Sequence, residues 1–190
     1  LSTFMNNLII KNTPIENLKT IKHQSSKDER GFLIRLFCQK TLSHLIKGKI
    51  ICQINKTLTL KKGAIRGLHF QYPPYAETKI ISCLKGKVWD VALDLRLGSP
   101  TFLRYHSEIL TEGDCKSYLI PEGFAHGFQT LTSDCEMLYL HTADYNKNFE
   151  GAINVVDPKI GINWPLRITE LSERDGNIPF LPDNFKGLEL

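Results

Sequence analysis

The sequence predicts an all-β domain, a sandwich or barrel, with a jelly roll as the form that supplies a mouth where inward-facing polar side chains converge. Three observations carry this. Strand signals dominate from about residue 50 onward. The runs are short and are broken repeatedly by Gly and Pro. No internal repeat or low-complexity linker interrupts the 190 residues, so 1–190 reads as a single domain, long enough to bury a real core.

Taken in order, Thr41 to Ile46 predicts a short peripheral helix, with its apolar residues at Leu42, Leu45 and Ile46. Ile50 to Leu60 alternates around Gln53, Asn55, Thr57 and Thr59, as a half-buried strand does. Thr78 to Leu84 and Lys87 to Leu95 read as a hairpin turning at Lys85-Gly86. In its second arm Asp90 and Asp94 share a face polar enough to meet solvent or a ligand. Leu97-Gly-Ser-Pro100 is a turn; Ser117 to Ile120 and Met137 to Thr142 are further strands; Ile168 to Asp175 ends in a small helix or loop.

Composition narrows the function. No apolar run approaches the ~20 residues of a membrane helix, and Leu1 to Ile10 lacks the pattern of a signal peptide. The net charge is +4, with lysines scattered in turns and not interleaved with aromatics, which argues against nucleic acid and suits a small anionic substrate. Five cysteines, Cys38, Cys52, Cys83, Cys115 and Cys135, include no Cys-x-x-Cys pair. Reduced thiols and a cytoplasmic location are expected.

Two blocks carry chemistry: Arg66-Gly-Leu-His-Phe-Gln71 and Pro121-Glu-Gly-Phe-Ala-His-Gly-Phe128. Each sets a histidine in an apolar strand, where surroundings can fix its pKa and tautomer for proton transfer. Neither suits a metal site as well: the first has no nearby His, Cys or carboxylate at ligand spacing, and the single histidine of the second is flanked by alanine and glycine. With Lys79, Asp90-Val-Ala-Leu-Asp-Leu-Arg96, Gly98-Ser-Pro-Thr-Phe102, Tyr139, Tyr145, Asp157-Pro158, Gly161-Ile-Asn-Trp-Pro165 and Leu171-Ser-Glu-Arg-Asp175, these blocks recur in one order. From about Asp28 to Asp175 the chain closely resembles the dTDP-4-dehydrorhamnose 3,5-epimerase family.

That resemblance implies a cupin-type jelly roll, a homodimer, no metal and no organic cofactor, and a dTDP-linked 4-keto-6-deoxy sugar as partner. It implies His69 as general base paired with Asp175, Tyr139 as the acid on the opposite face, and Lys79 as the cation near the keto oxygen. It places Arg30, Arg66, His126, Glu150 and Arg174 at substrate-binding positions, Gln53 and Asn55 at a nucleotide-contacting Gln-x-Asn, and Tyr145 where an aromatic stacks on thymine. Two departures stand out: Arg35 where many members carry glutamate, and Arg174 in place of lysine.

The chemistry accords with the residue types. A proton next to a ketone leaves to give an enolate, which requires a base on one face, an acid on the other and positive charge at the oxyanion. Alternatives from other classes are an epimerase of one carbon, a metal-dependent cupin enzyme such as a dioxygenase, and a non-catalytic sugar-nucleotide binder.

Overall fold

The computed structural model describes residues 8–190. Its strands are β1 (Ile9–Asn12), β2 (Lys19–Lys22), β3 (Ser25–Asp28), β4 (Gly31–Ile34), β5 (Gln53–Thr59), β6 (Ile65–Gln71), β7 (Lys79–Lys85), β8 (Lys87–Asp94), β9 (Tyr105–Thr111), β10 (Lys116–Ile120), β11 (Phe124–Thr130), β12 (Cys135–His141) and β13 (Glu150–Ala152). Two short helices, α1 (Gln39–Leu42) and α2 (Glu173–Gly176), lie at the periphery. One sheet runs β1-β2-β10-β7-β12-β5 and the other β13-β6-β11-β8-β9, while β3 and β4 form a separate hairpin. This is the jelly roll the sequence predicts.

Residues from both sheets fill the space between them: Ile81 and Met137 from one, Val88, Ala92, Phe124 and Phe128 from the other. The outer faces are covered too. Leu42 and Ile46 pack over Ile80, Leu119 and Leu140. On the far side Val91, Leu93 and Ala125 lie under Ile153, Val155 and Ile160 of the C-terminal segment, with Trp164 and Leu171 at the edge of the same cluster. Strands covered on both faces read as near-continuous apolar runs, which is why β7 and β11 lack clean alternation.

The expected hairpin is corrected. Its two strands exist as β7 and β8 but do not pair: β7 lies between β10 and β12, and β8 between β11 and β9. The turn at Gly86 carries the chain from one sheet to the other. There φ is +80°, and a Cβ would stand 2.7 Å from Thr132 Oγ1, so glycine is required. Two apolar runs joined by a Gly turn are written alike whether they pair or arch between sheets. The choice rests with the partner strands β9 to β12, further along the chain. Asp90 and Asp94 also differ from expectation, since both are fully buried. Asp94 accepts hydrogen bonds from Arg96, Ser99 and Thr101 and fastens that turn.

At the middle of the second sheet β6 and β11 approach closely. A Cβ on Gly67 would lie 2.6 Å from Gly127 Cα, and one on Gly127 would lie 2.7 Å from the Arg66 carbonyl oxygen. Both glycines are therefore dictated by contact. The register puts His69 directly opposite His126.

Candidate active site

A cavity of about 810 Å³ opens between the sheets at one end. Strands β5, β6, β7, β11 and β12 contribute to its wall, along with residues around Tyr145 and the segment that leads into α2. Eleven of the twelve site residues expected from the sequence line it; Arg30 does not.

His69 sits on β6, and its Nε2 lies 2.7 Å from Asp175 Oδ1. Asp175 is 106 positions later, on α2, whose start is capped by Ser172 Oγ accepting from the Asp175 backbone N–H. An ionised carboxylate can only accept, so this bond puts the ring proton on Nε2. Among the described residues Nδ1 makes no hydrogen bond, and it keeps its lone pair. Burial pushes the Asp175 carboxyl up, but the His69 hydrogen bond and charge, the Ser172 contact and Arg174 together hold it below the usual carboxylate range. Arg174 Nη2 is 2.8 Å from the same Nε2, a close approach of two donors and not a hydrogen bond in this tautomer, while its Nη1 donates to Glu150 Oε2 at 2.8 Å.

His126, on β11, is buried and meets both Asp90 carboxylate oxygens at 3.0 Å. Burial lowers the His126 pKa and raises that of Asp90, each against the pull of its partner. Asp90 thus has a definite task as the anchor of His126.

Tyr139, on β12, projects from the opposite sheet, 9% exposed. Its hydroxyl is 3.4 Å from Thr57 Oγ1, and burial pushes its pKa up strongly, so the phenol stays protonated. Lys79, at the start of β7, donates to the His69 carbonyl oxygen at 3.3 Å and pairs with Glu77 at 3.3 Å.

At the open end Tyr145 is half exposed. Its hydroxyl donates to Glu150 at 3.0 Å and its backbone N–H to Gln53 Oε1 at 3.0 Å. Asn55 lies along the same β5 face, near His141. Arg66 is held across the gap by Thr59 Oγ1 at 2.8 Å and the Leu58 carbonyl. Arg30 sits instead at the tip of the β3–β4 hairpin, solvent-exposed and bound to Asp28 at 2.6 Å. Arg35 lies beyond that hairpin and lines a separate small hollow with His23 and Cys38.

The sequence reading missed Glu77 and His141. Both line the cavity, and His141 Nδ1 is 2.7 Å from Glu77 Oε2. A period-two signal was available, because Glu77 and Lys79 share a face, as do Tyr139 and His141. Among the described residues no group of three or more His, Cys, Asp or Glu is arranged to hold a metal ion. Among the described residues no helix is long and apolar enough to cross a membrane.

The model of the family described as dTDP-4-dehydrorhamnose 3,5-epimerase matches residues 12–183. A protein of that name from Sinorhizobium fredii is 36% identical over 180 residues, spanning 94% of this chain and 92% of its own length. The structure of a dTDP-6-deoxy-D-glucose-3,5-epimerase from Legionella pneumophila in complex with dTDP-4-keto-L-rhamnose is 38% identical, with a TM-score of 0.84, covering 89% of this chain and 90% of that one. A 3′-monoepimerase from Streptomyces bikiniensis in complex with dTDP-quinovose is 30% identical, with a TM-score of 0.82, covering 88% of this chain and 85% of that one.

Proposed function

The chain belongs to the dTDP-4-dehydrorhamnose 3,5-epimerase family and is an isomerase, and from that premise we propose how its own residues invert a dTDP-linked 4-keto-6-deoxyhexose. The reading rests on one observation above all. His69, with Asp175 of α2 beside it, and the Tyr139 phenol come from opposite sheets and line one cavity.

His69 takes the proton from a carbon beside the ketone. Asp175 fixes the ring tautomer and balances the imidazolium that forms, as carboxylates do for histidine bases elsewhere. Tyr139, held protonated by burial, returns a proton from the other face. Lys79 offers positive charge to the enolate oxygen. Of its three N–H groups, one is committed to His69 O and one to Glu77, which leaves one for substrate. Carbons 3 and 5 flank the same ketone, so one base serves both.

His126, fixed by Asp90, lies beside His69 and binds the sugar. Arg66 and Arg174 supply planar forks for the diphosphate. Tyr145 offers an exposed ring for thymine, next to Gln53 and Asn55, and Glu150 orients Tyr145 and Arg174. Arg30 lies on an exposed hairpin and binds substrate only in the site of a second copy. A homodimer is consistent with the uncovered apolar side chains Phe32 and Leu33 on β4 and Ile54 and Leu58 on β5.

The test is incubation with dTDP-4-keto-6-deoxyglucose in deuterated water. Deuterium at carbons 3 and 5 with inversion at both is the expected result. Label at one carbon alone would make this chain a monoepimerase, and no label would overturn the reading.

A further inference from the structure

In the cavity wall, three side chains outside the His69–Asp175 pair form a continuous chain of contacts. Glu77 lies between two partners: one carboxylate oxygen is 3.3 Å from Lys79 Nζ, the other 2.7 Å from His141 Nδ1. Beyond it, His141 Nε2 is 3.4 Å from Asn55 Nδ2. The Glu77, Lys79 and His141 side chains are 8 to 10% exposed. Glu77 is thus a nearly buried carboxylate bridging two nitrogens.

The buried setting makes this arrangement consequential. An ammonium group largely removed from water needs an anion in contact with it. Asp90 is engaged by His126, and Glu77 is the anion in direct contact with Lys79. Burial raises the Glu77 carboxyl, yet Lys79 and the His141 hydrogen bond and charge hold it below the usual carboxylate range. The charges of Asp144 and Glu77 add to burial in raising the Cys52 thiol.

We propose that Glu77 is a positioning residue for the epimerisation: bridged to His141, it holds the Lys79 ammonium in place against the His69 strand. This rests on the reading of Lys79 as the cation at the keto oxygen. Lys79 becomes the acceptor-facing end of a relay whose far end, through His141 and Asn55, lies where the nucleotide is read. The relay therefore links the two ends of the substrate.

The experiment measures deuterium exchange from dTDP-4-keto-6-deoxyglucose as a function of substrate concentration for the wild-type chain and for Glu77→Gln, Lys79→Ala and the double variant. Without the anion the ammonium loses its fixed place. In Glu77→Gln kcat should therefore fall roughly tenfold with KM little changed. In the Lys79→Ala background Glu77→Gln should add nothing. An unchanged kcat, or a loss confined to KM, would overturn the proposal while leaving Lys79 in its role. Full exchange in Lys79→Ala would overturn the Lys79 reading and the proposal with it. If Glu77→Gln does not fold, Glu77→Ala tests the same charge: formate should restore activity and formamide should not, and equal rescue by both would count against the relay.

Discussion

Two histidine–aspartate pairs sit side by side in this molecule, on facing positions of β6 and β11, and they are built in opposite ways. His126 takes its carboxylate from Asp90 on β8, the strand next to its own, and the whole pair is sealed. His69 takes its carboxylate from α2, 106 positions away, and its side chain is 28% exposed toward the cavity. In the sealed pair burial works against charge on both partners. In the open pair the aspartate is held ionised while the ring faces the space where a substrate fits. On the proposed reading, the same two residue types thus give a fixed binding surface in one place and a proton acceptor in the other. The difference lies in access and in where the carboxylate comes from.

That contrast can be tested at several strengths. The largest effect is expected from His69→Asn, which should lower solvent exchange at both carbons by about 10²–10⁴-fold while the unfolding midpoint stays near wild type. Exchange at the wild-type rate would remove the distinction between the pairs. Asp175→Asn leaves the ring in place without a carboxylate to fix its tautomer, and exchange should fall roughly 10²-fold. The sealed pair should answer in stability instead. Asp90→Asn breaks a buried pair, and denaturant unfolding should register a loss of about 2–4 kcal/mol. A change under ~0.5 kcal/mol would show that the burial of Asp90 carries no such weight.

The smallest effect is a pH dependence. The folded-state pKa of Asp175 is depressed, so its ionisation contributes stability that is fully present above the unfolded carboxylate value of about 3.9 and is lost as pH falls through the lower folded value. Acid unfolding of the wild-type chain should show this slope, and Asp175→Asn should lack it.

Much of this was legible in the sequence, for physical reasons. The jelly roll follows from short runs punctuated by glycine and proline. His69 stands out as a titratable ring in an apolar strand, whereas the reading of Tyr139 rests on the family resemblance. The arch at Gly86 was not legible, because a local pattern does not name a strand's partners. The burial of Asp90 and Asp94 was not legible either: alternation with polar residues reads as a solvated face, and only a second covering layer with a histidine or arginine waiting turns it inward. Glu77 and His141 lie 64 positions apart and gain meaning only when β7 and β12 pair. Arg30 is recognisable as a motif residue, yet it stands outside the cavity of its own chain.

The C-terminal segment that covers β8 and β11 also brings Asp175 to the cavity, with its backbone tied to β6 where the Ile65 N–H donates to Glu170 O. Chain growth runs from the N-terminus, so on the ribosome His69 is synthesised more than a hundred residues before its carboxylate. The barrel strands through β13 are complete while Asp175 is still to come. A nascent chain can therefore close its sheets while His69 still lacks its carboxylate, and the His69–Asp175 pair forms only when the last stretch docks.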